Sequence, residues 1–144
     1  KHYYSMKKDT KNRVFHLNQF GHGDANPILL RVSLFAEFTK IDFGYTTTDI
    51  YDNGGWIRMA PDTFIEIVET GKRYTLQLAE NIPIAPVHHY FESKKDWRYY
   101  SLFFPSIPHQ DCTINIIEVE NGLFRDFNYY DVKLRMEEGM EILE

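Results

Sequence analysis

The chain has one cysteine, Cys112, in 144 residues. A single thiol excludes an internal disulfide and a four-thiolate metal site. Basic residues do not dominate: 16 Lys and Arg stand against 21 Asp and Glu, a formal charge of −5. That balance gives no general attraction to a phosphate backbone, so nucleic acid is not an expected partner. No apolar run reaches the roughly 18–20 residues that a membrane-spanning helix needs, so no integral membrane segment is expected. Gly21-His22-Gly23 and Gly54-Gly55 lack the spacing and the strand-to-helix setting of a phosphate-binding loop. Helical periodicity is nearly missing as well. It is confined to Met136, Met140 and Leu143, and Gly139 weakens it. No cofactor and no metal are expected.

Aromatic residues are abundant. Eleven Phe, ten Tyr and two Trp make 16% of the chain, which argues against disorder and against a long coiled coil. Around them the apolar period is two. Leu30, Val32 and Leu34 alternate with Arg31 and Ser33; Ile41, Phe43 and Tyr45 with Asp42 and Gly44. The same holds for Tyr74, Leu76 and Leu78, and for Tyr130, Val132 and Leu134. A period of two describes strands with one buried face. The apolar parity switches between Phe38 and Ile41, which requires a tight turn or bulge near residues 35–40. Turn signals fall at Asp52-Asn53-Gly54-Gly55, Ala60-Pro61-Asp62, Glu69-Thr70-Gly71-Lys72 and Asn121-Gly122. Thr70-Gly71 predicts a hairpin between Phe64–Val68 and Arg73–Leu78. The expected fold is all-β, a two-sheet antiparallel sandwich of about eight strands with little helix.

Charge is uneven along the chain. Residues 1–13 hold five basic groups and one acid, and Glu137, Glu138, Glu141 and Glu144 crowd the last eight positions without a base. The expected organisation is a basic arm over 1–13, a sandwich over 14–135 and an acidic tail or linker over 136–144, both ends solvated. The chain begins with Lys1 and reads as a processed or excised product.

Catalytic signatures are weak. Ser33, Ser93, Ser101 and Ser106 sit in no nucleophile turn, and Cys112 reads as a buried strand thiol. Glu66 and Glu118 are a conceivable carboxylate pair, but alternating Glu on a solvent face explains them. His16, His22 and Asp24 lie close in sequence, and His88 and His89 are adjacent. Adjacent strand residues point to opposite faces, so these read as polar loop histidines. The adjacent pairs Tyr99-Tyr100, Phe103-Phe104 and Tyr129-Tyr130 are more informative. In an extended chain one member of each pair must face away from the core. Trp56, Trp97, Tyr99 and Tyr100 flank turns or sit among polar residues and are the expected contact residues.

The segments Gly55-Trp56-Ile57-Arg58-Met59-Ala60-Pro61-Asp62, Thr70-Gly71-Lys72-Arg73-Tyr74 and Ser101-Leu102-Phe103-Phe104-Pro105-Ser106-Ile107-Pro108, with Ile114-Asn115-Ile116-Ile117-Glu118 after them, resemble uncharacterised immunoglobulin-like β-sandwich domains of Bacteroidetes envelope and secreted proteins. The similarity spans about residues 28–135. It implies a sandwich and an extracytoplasmic location, and it transfers no catalytic residue. No disulfide pins the sheets, so an antibody-like Cys–Trp–Cys pattern does not apply. The leading functional expectation is a non-catalytic accessory or interaction domain that binds a protein partner or positions a neighbouring module. A carbohydrate-binding module using exposed aromatics is the alternative, and a hydrolase is the minor third reading.

Overall fold

The computed structural model describes residues 11–21, 26–46, 56–87, 89–90, 97–122 and 126–142. The strands are β1 (Arg13–Gln19), β2 (Ile28–Leu34), β3 (Phe38–Thr46), β4 (Trp56–Ile57), β5 (Phe64–Ile67), β6 (Arg73–Thr75), β7 (Leu78–Glu80), β8 (His89–Tyr90), β9 (Trp97–Pro105), β10 (Cys112–Ile117), β11 (Tyr129–Leu134) and β12 (Met140–Glu141). One antiparallel sheet has the order β12-β1-β2-β3-β9-β7, and a second has the order β11-β10-β5-β6. A short β4–β8 ribbon stands beside them. The expected all-β, two-sheet antiparallel architecture is present. Twelve strands among the described residues replace the expected eight because β4, β7, β8 and β12 are only two or three residues long, too short for alternation to reveal. A 3₁₀ turn at Met136–Glu138 is the helical element among the described residues, and none of them forms a helix long and apolar enough to cross a membrane.

The core lies between the sheets. Ile41, Phe43 and Tyr45 of β3 and Tyr100, Leu102 and Phe104 of β9 meet Ile65 and Ile67 of β5, Ile114 and Ile116 of β10 and Val132 and Leu134 of β11. Phe43 and Tyr100 are register partners, and their rings stack at 5.0 Å. Tyr129 packs on Phe43 at 5.4 Å. Facing aromatic and β-branched side chains fill an inter-sheet gap of about 10 Å, the usual spacing of packed sheets.

Two expected turns form as read. The parity switch is a tight β2–β3 hairpin, closed by the Phe35 N–H donating to the Phe38 carbonyl at 3.0 Å. The β5–β6 hairpin turns through Gly71 at φ +76°, a left-handed conformation that a Cβ disfavours. The signal at residues 52–55 lies outside the described residues.

Three strand readings need correction. In β2 a register shift between Leu29 and Arg31 puts Leu29 in the core and leaves Leu30 half-buried. The run Tyr74–Leu78 is two strands in different sheets: β6 pairs with β5 and β7 with β9, so Tyr74 is buried and Leu78 is exposed. In β11 a shift between Ile114 and Ile116, with Asp131 at φ +55°, buries Tyr129 and turns Tyr130 out. Each is a place where the chain inserts or redirects one residue, which inverts the faces of the residues after it.

The described parts of both ends join the larger sheet. Residues 1–10 of the expected arm lie outside the described residues, but Arg13 opens β1. Within the segment expected as an acidic tail, β12 joins the edge of the larger sheet. Met140 and Glu141 pair with Val14 and Arg13, and the Ile142 N–H donates to the Asn12 carbonyl at 2.8 Å. Lys11 Nζ approaches the Glu141 carboxylate at 3.8 Å.

Candidate functional site

The outer face of the six-stranded sheet is formed by the strand positions that alternate with the core. On β9 these are Trp97, Tyr99, Ser101 and Phe103; on β3 they are Lys40, Asp42 and Gly44. Trp97 and Tyr99 stand two residues apart on this face, 50% and 62% exposed. Their rings are almost parallel, at 13°, with centroids 6.1 Å apart. Tyr99 sits opposite Gly44 in the β3–β9 register. A Cβ built on Gly44 would lie 3.2 Å from the Tyr99 ring and 3.6 Å from a Leu30 methyl. The absence of a side chain at Gly44 therefore lets Tyr99 lean over the sheet, with Leu30 on the other side.

Next along β3 is Asp42. Its Oδ2 accepts from Arg31 Nε at 3.1 Å, and its Oδ1 accepts from the Ser101 hydroxyl at 2.5 Å. Lys40 Nζ lies 3.7 Å from the same Oδ1. The Asp42 side chain is 10% exposed, whereas Arg31 and Lys40 are 47% and 35% exposed. The carboxylate is thus covered by its own partners, and the cations present themselves to solvent. Beyond them Lys40 also lies over the Phe103 ring at 5.9 Å, and Phe38 meets Phe103 edge-on at 5.5 Å.

The structure separates the four residues expected to make contact. Trp97 and Tyr99 are together on the exposed face. Tyr100 points the other way, 2% exposed and stacked on Phe43, so it is a core residue. The alternation that exposes Tyr99 requires this. Trp56 belongs to β4 and pairs with Tyr90 of β8 in the two-stranded ribbon, which is not hydrogen-bonded into either main sheet. Arg31, Lys40, Asp42 and Gly44 were missed as site residues. Their signal was present as the polar phase of two alternating strands, but only the β2–β3–β9 pairing joins them.

Several of the residues weighed for catalysis are otherwise engaged, and Ser93 lies outside the described residues. Ser101 donates to Asp42, and Ser106 donates to the Phe35 carbonyl at 2.9 Å. Glu66 faces Arg73 and Asn115. Glu118 accepts from the backbone N–H groups of Ala60 at 3.0 Å and Phe127 at 2.9 Å, tying two connections together. Burial pushes its carboxyl up, against the pull of those two donors and of Arg58, while Asp126 adds to the rise. Cys112 is buried in β10, and desolvation pushes its thiol up to about 11, with a smaller contribution from Glu69. His16 is exposed on β1, whereas His22, Asp24 and His88 lie outside the described residues. Among the described residues no three potential ligands gather around one point. Comparison with known proteins finds no matching family model, no matching curated protein and no matching solved structure.

Proposed function

We propose that this chain is a non-catalytic binding module whose working surface is the outer face of the six-stranded sheet around Trp97 and Tyr99. The observation that supports it is the pair of large, exposed, near-parallel rings held on a regular strand. Exposed aromatics clustered on one face are characteristic of recognition surfaces, and a strand holds them more rigidly than a loop would. The occupied Ser101 and Ser106 hydroxyls and the raised Cys112 thiol favour binding over chemistry, since a nucleophilic cysteine needs a lowered pKa.

Two occupants suit such a surface: a protein partner or neighbouring module, and a glycan. The exposure of this ring stack favours the glycan, because the C–H face of a pyranose packs on the electron-rich outward face of an aromatic ring. The proposal extends to an immunoglobulin-like strand arrangement and export to a bacterial envelope, both resting on the resemblance of the Phe103–Pro108 and Ile114–Glu118 segments.

The test is a glycan array and a protein-interaction screen run with the wild type and with Trp97→Ala/Tyr99→Ala. Loss of the signal in a double variant with an unchanged melting curve supports the surface. An unchanged signal moves the site elsewhere. Turnover of an ester, peptide or glycoside substrate, abolished by one serine or carboxylate substitution, overturns the non-catalytic reading.

A further inference from the structure

We infer that the ligand of this face is an acidic glycan, one whose sugar ring packs on the exposed side of the Trp97–Tyr99 stack while its carboxylate is received by Arg31. The inference rests on the binding-module reading above and specifies what that module would hold. It stands on the contrast between the covered anion and the more exposed cations beside the aromatic pair.

Asp42 uses both oxygens within the sheet. Oδ2 takes the Arg31 Nε–H, while Oδ1 takes the Ser101 hydroxyl and faces Lys40. A carboxylate so occupied and so little exposed positions other groups more than it repels a ligand. Holding Arg31 by Nε orients the guanidinium and leaves its two Nη groups without a partner among the described residues. Those Nη groups form a planar donor fork suited to a carboxylate. Lys40 supplies a second, half-buried cation on the neighbouring strand. The exposed Glu80 lies on the same face opposite Ser101, at the β7 edge, so the two cations around the screened Asp42 make the β2 side of the face locally positive, on a chain whose overall charge is −5. Electrostatic complementarity of this kind selects an anionic ligand.

The arrangement is continuous with the aromatic pair. Leu30 adjoins Arg31 in β2 and reaches toward Gly44, across which Tyr99 lies. Apolar and cationic surface therefore run side by side over β2, β3 and β9. A uronic-acid residue offers the matching pair of features, a C–H face and a ring carboxylate.

The decisive experiment is calorimetric titration of the whole chain with a panel of uronic-acid oligosaccharides and with the same oligosaccharides after reduction of their carboxyl groups. The expected result is binding of an acidic member that weakens about tenfold on carboxyl reduction, as the loss of one charge-assisted hydrogen-bonded pair implies. Arg31→Gln and Arg31→Lys should both bring the acidic ligand down to the affinity of the reduced one, because Lys lacks the fork. Tyr99→Ala should weaken both ligands. Circular dichroism checks that each variant is folded, and the reduced ligand tests the charge on the unaltered protein. Equal affinity for the acidic and reduced forms overturns the acidic assignment and leaves the binding module standing. No binding of any panel member, together with a protein ligand that Trp97→Ala abolishes, overturns the glycan and identifies the partner as protein. Glycan binding that Tyr99→Ala leaves unchanged overturns both readings.

Discussion

The ring of Tyr99 rests against the one position of β3 that has no side chain, Gly44, where a Cβ would approach it to 3.2 Å. Gly44 is thus a shaping residue for the exposed aromatic pair. Ala at this position requires the ring to move by a few tenths of an ångström, and Val requires more. The contact is with an exposed side chain, so the cost falls on ring placement before it falls on the fold. Gly44→Val should leave the melting temperature close to wild type and weaken whatever binding Trp97→Ala abolishes. A variant that binds as well as wild type would show that the tilt of Tyr99 is irrelevant.

Tyr100 presents the opposite case. Its ring stacks on Phe43 in the core, and its buried hydroxyl has no hydrogen-bond partner among the described residues. Desolvation raises its pKa well above the ordinary tyrosine value, with the nearby Tyr129, Glu118 and Tyr45 adding to the effect. A buried hydroxyl without a partner costs about 1–3 kcal/mol. Tyr100→Phe keeps the ring and removes the cost, so it should stabilise the protein by about 1 kcal/mol in urea unfolding. A clear loss of stability would show that the hydroxyl is bonded through a bridging water.

Glu118 sets a pH dependence of unusual sign. Its folded pKa lies above the ordinary value of 4.5, chiefly because burial disfavours the charged form. As pH falls from neutrality, the folded chain takes up this proton before the unfolded chain does. The contribution of Glu118 to stability therefore grows between neutrality and about pH 4.5 and levels off below. The stability difference between wild type and Glu118→Gln should move in favour of wild type over that range. Movement in the other direction would mean that the Ala60 and Phe127 donors outweigh desolvation.

Cys112 should be inert. A thiol raised from 9.0 to about 11 holds about a hundredfold less thiolate at neutral pH, and its burial adds an opening step to any reaction. Iodoacetamide at about pH 7.5 should label it readily in urea and very slowly in buffer. Rapid labelling of the native protein would place the thiol at the surface.

Much of this architecture was legible in the alternation. The period of two assigned Phe43 and Ile41 to the core, and the Thr70-Gly71 step marked a hairpin, because both are local consequences of strand geometry and turn chemistry. The doublets were legible in part. Adjacency required one ring of Tyr99-Tyr100 and of Tyr129-Tyr130 to face out, but which one depends on register. In β11 the irregularity opposite Asn115, whose Oδ1 accepts the Asp131 N–H, reversed the expected answer.

The site is where sequence and structure part most clearly. By itself the sequence determined that this is an all-β chain with more aromatic rings than one core face can absorb, since pattern and composition act residue by residue. Only the tertiary structure decided that β12 completes the larger sheet beside β1, that Leu76-Gln77 carries the chain from one sheet to the other, and that Arg31, Asp42 and Ser101 form one hydrogen-bonded row beside Trp97 and Tyr99. Those relations depend on which strands pair and in what register. Pairing is chosen by the burial of the whole core, and no local stretch of sequence encodes it.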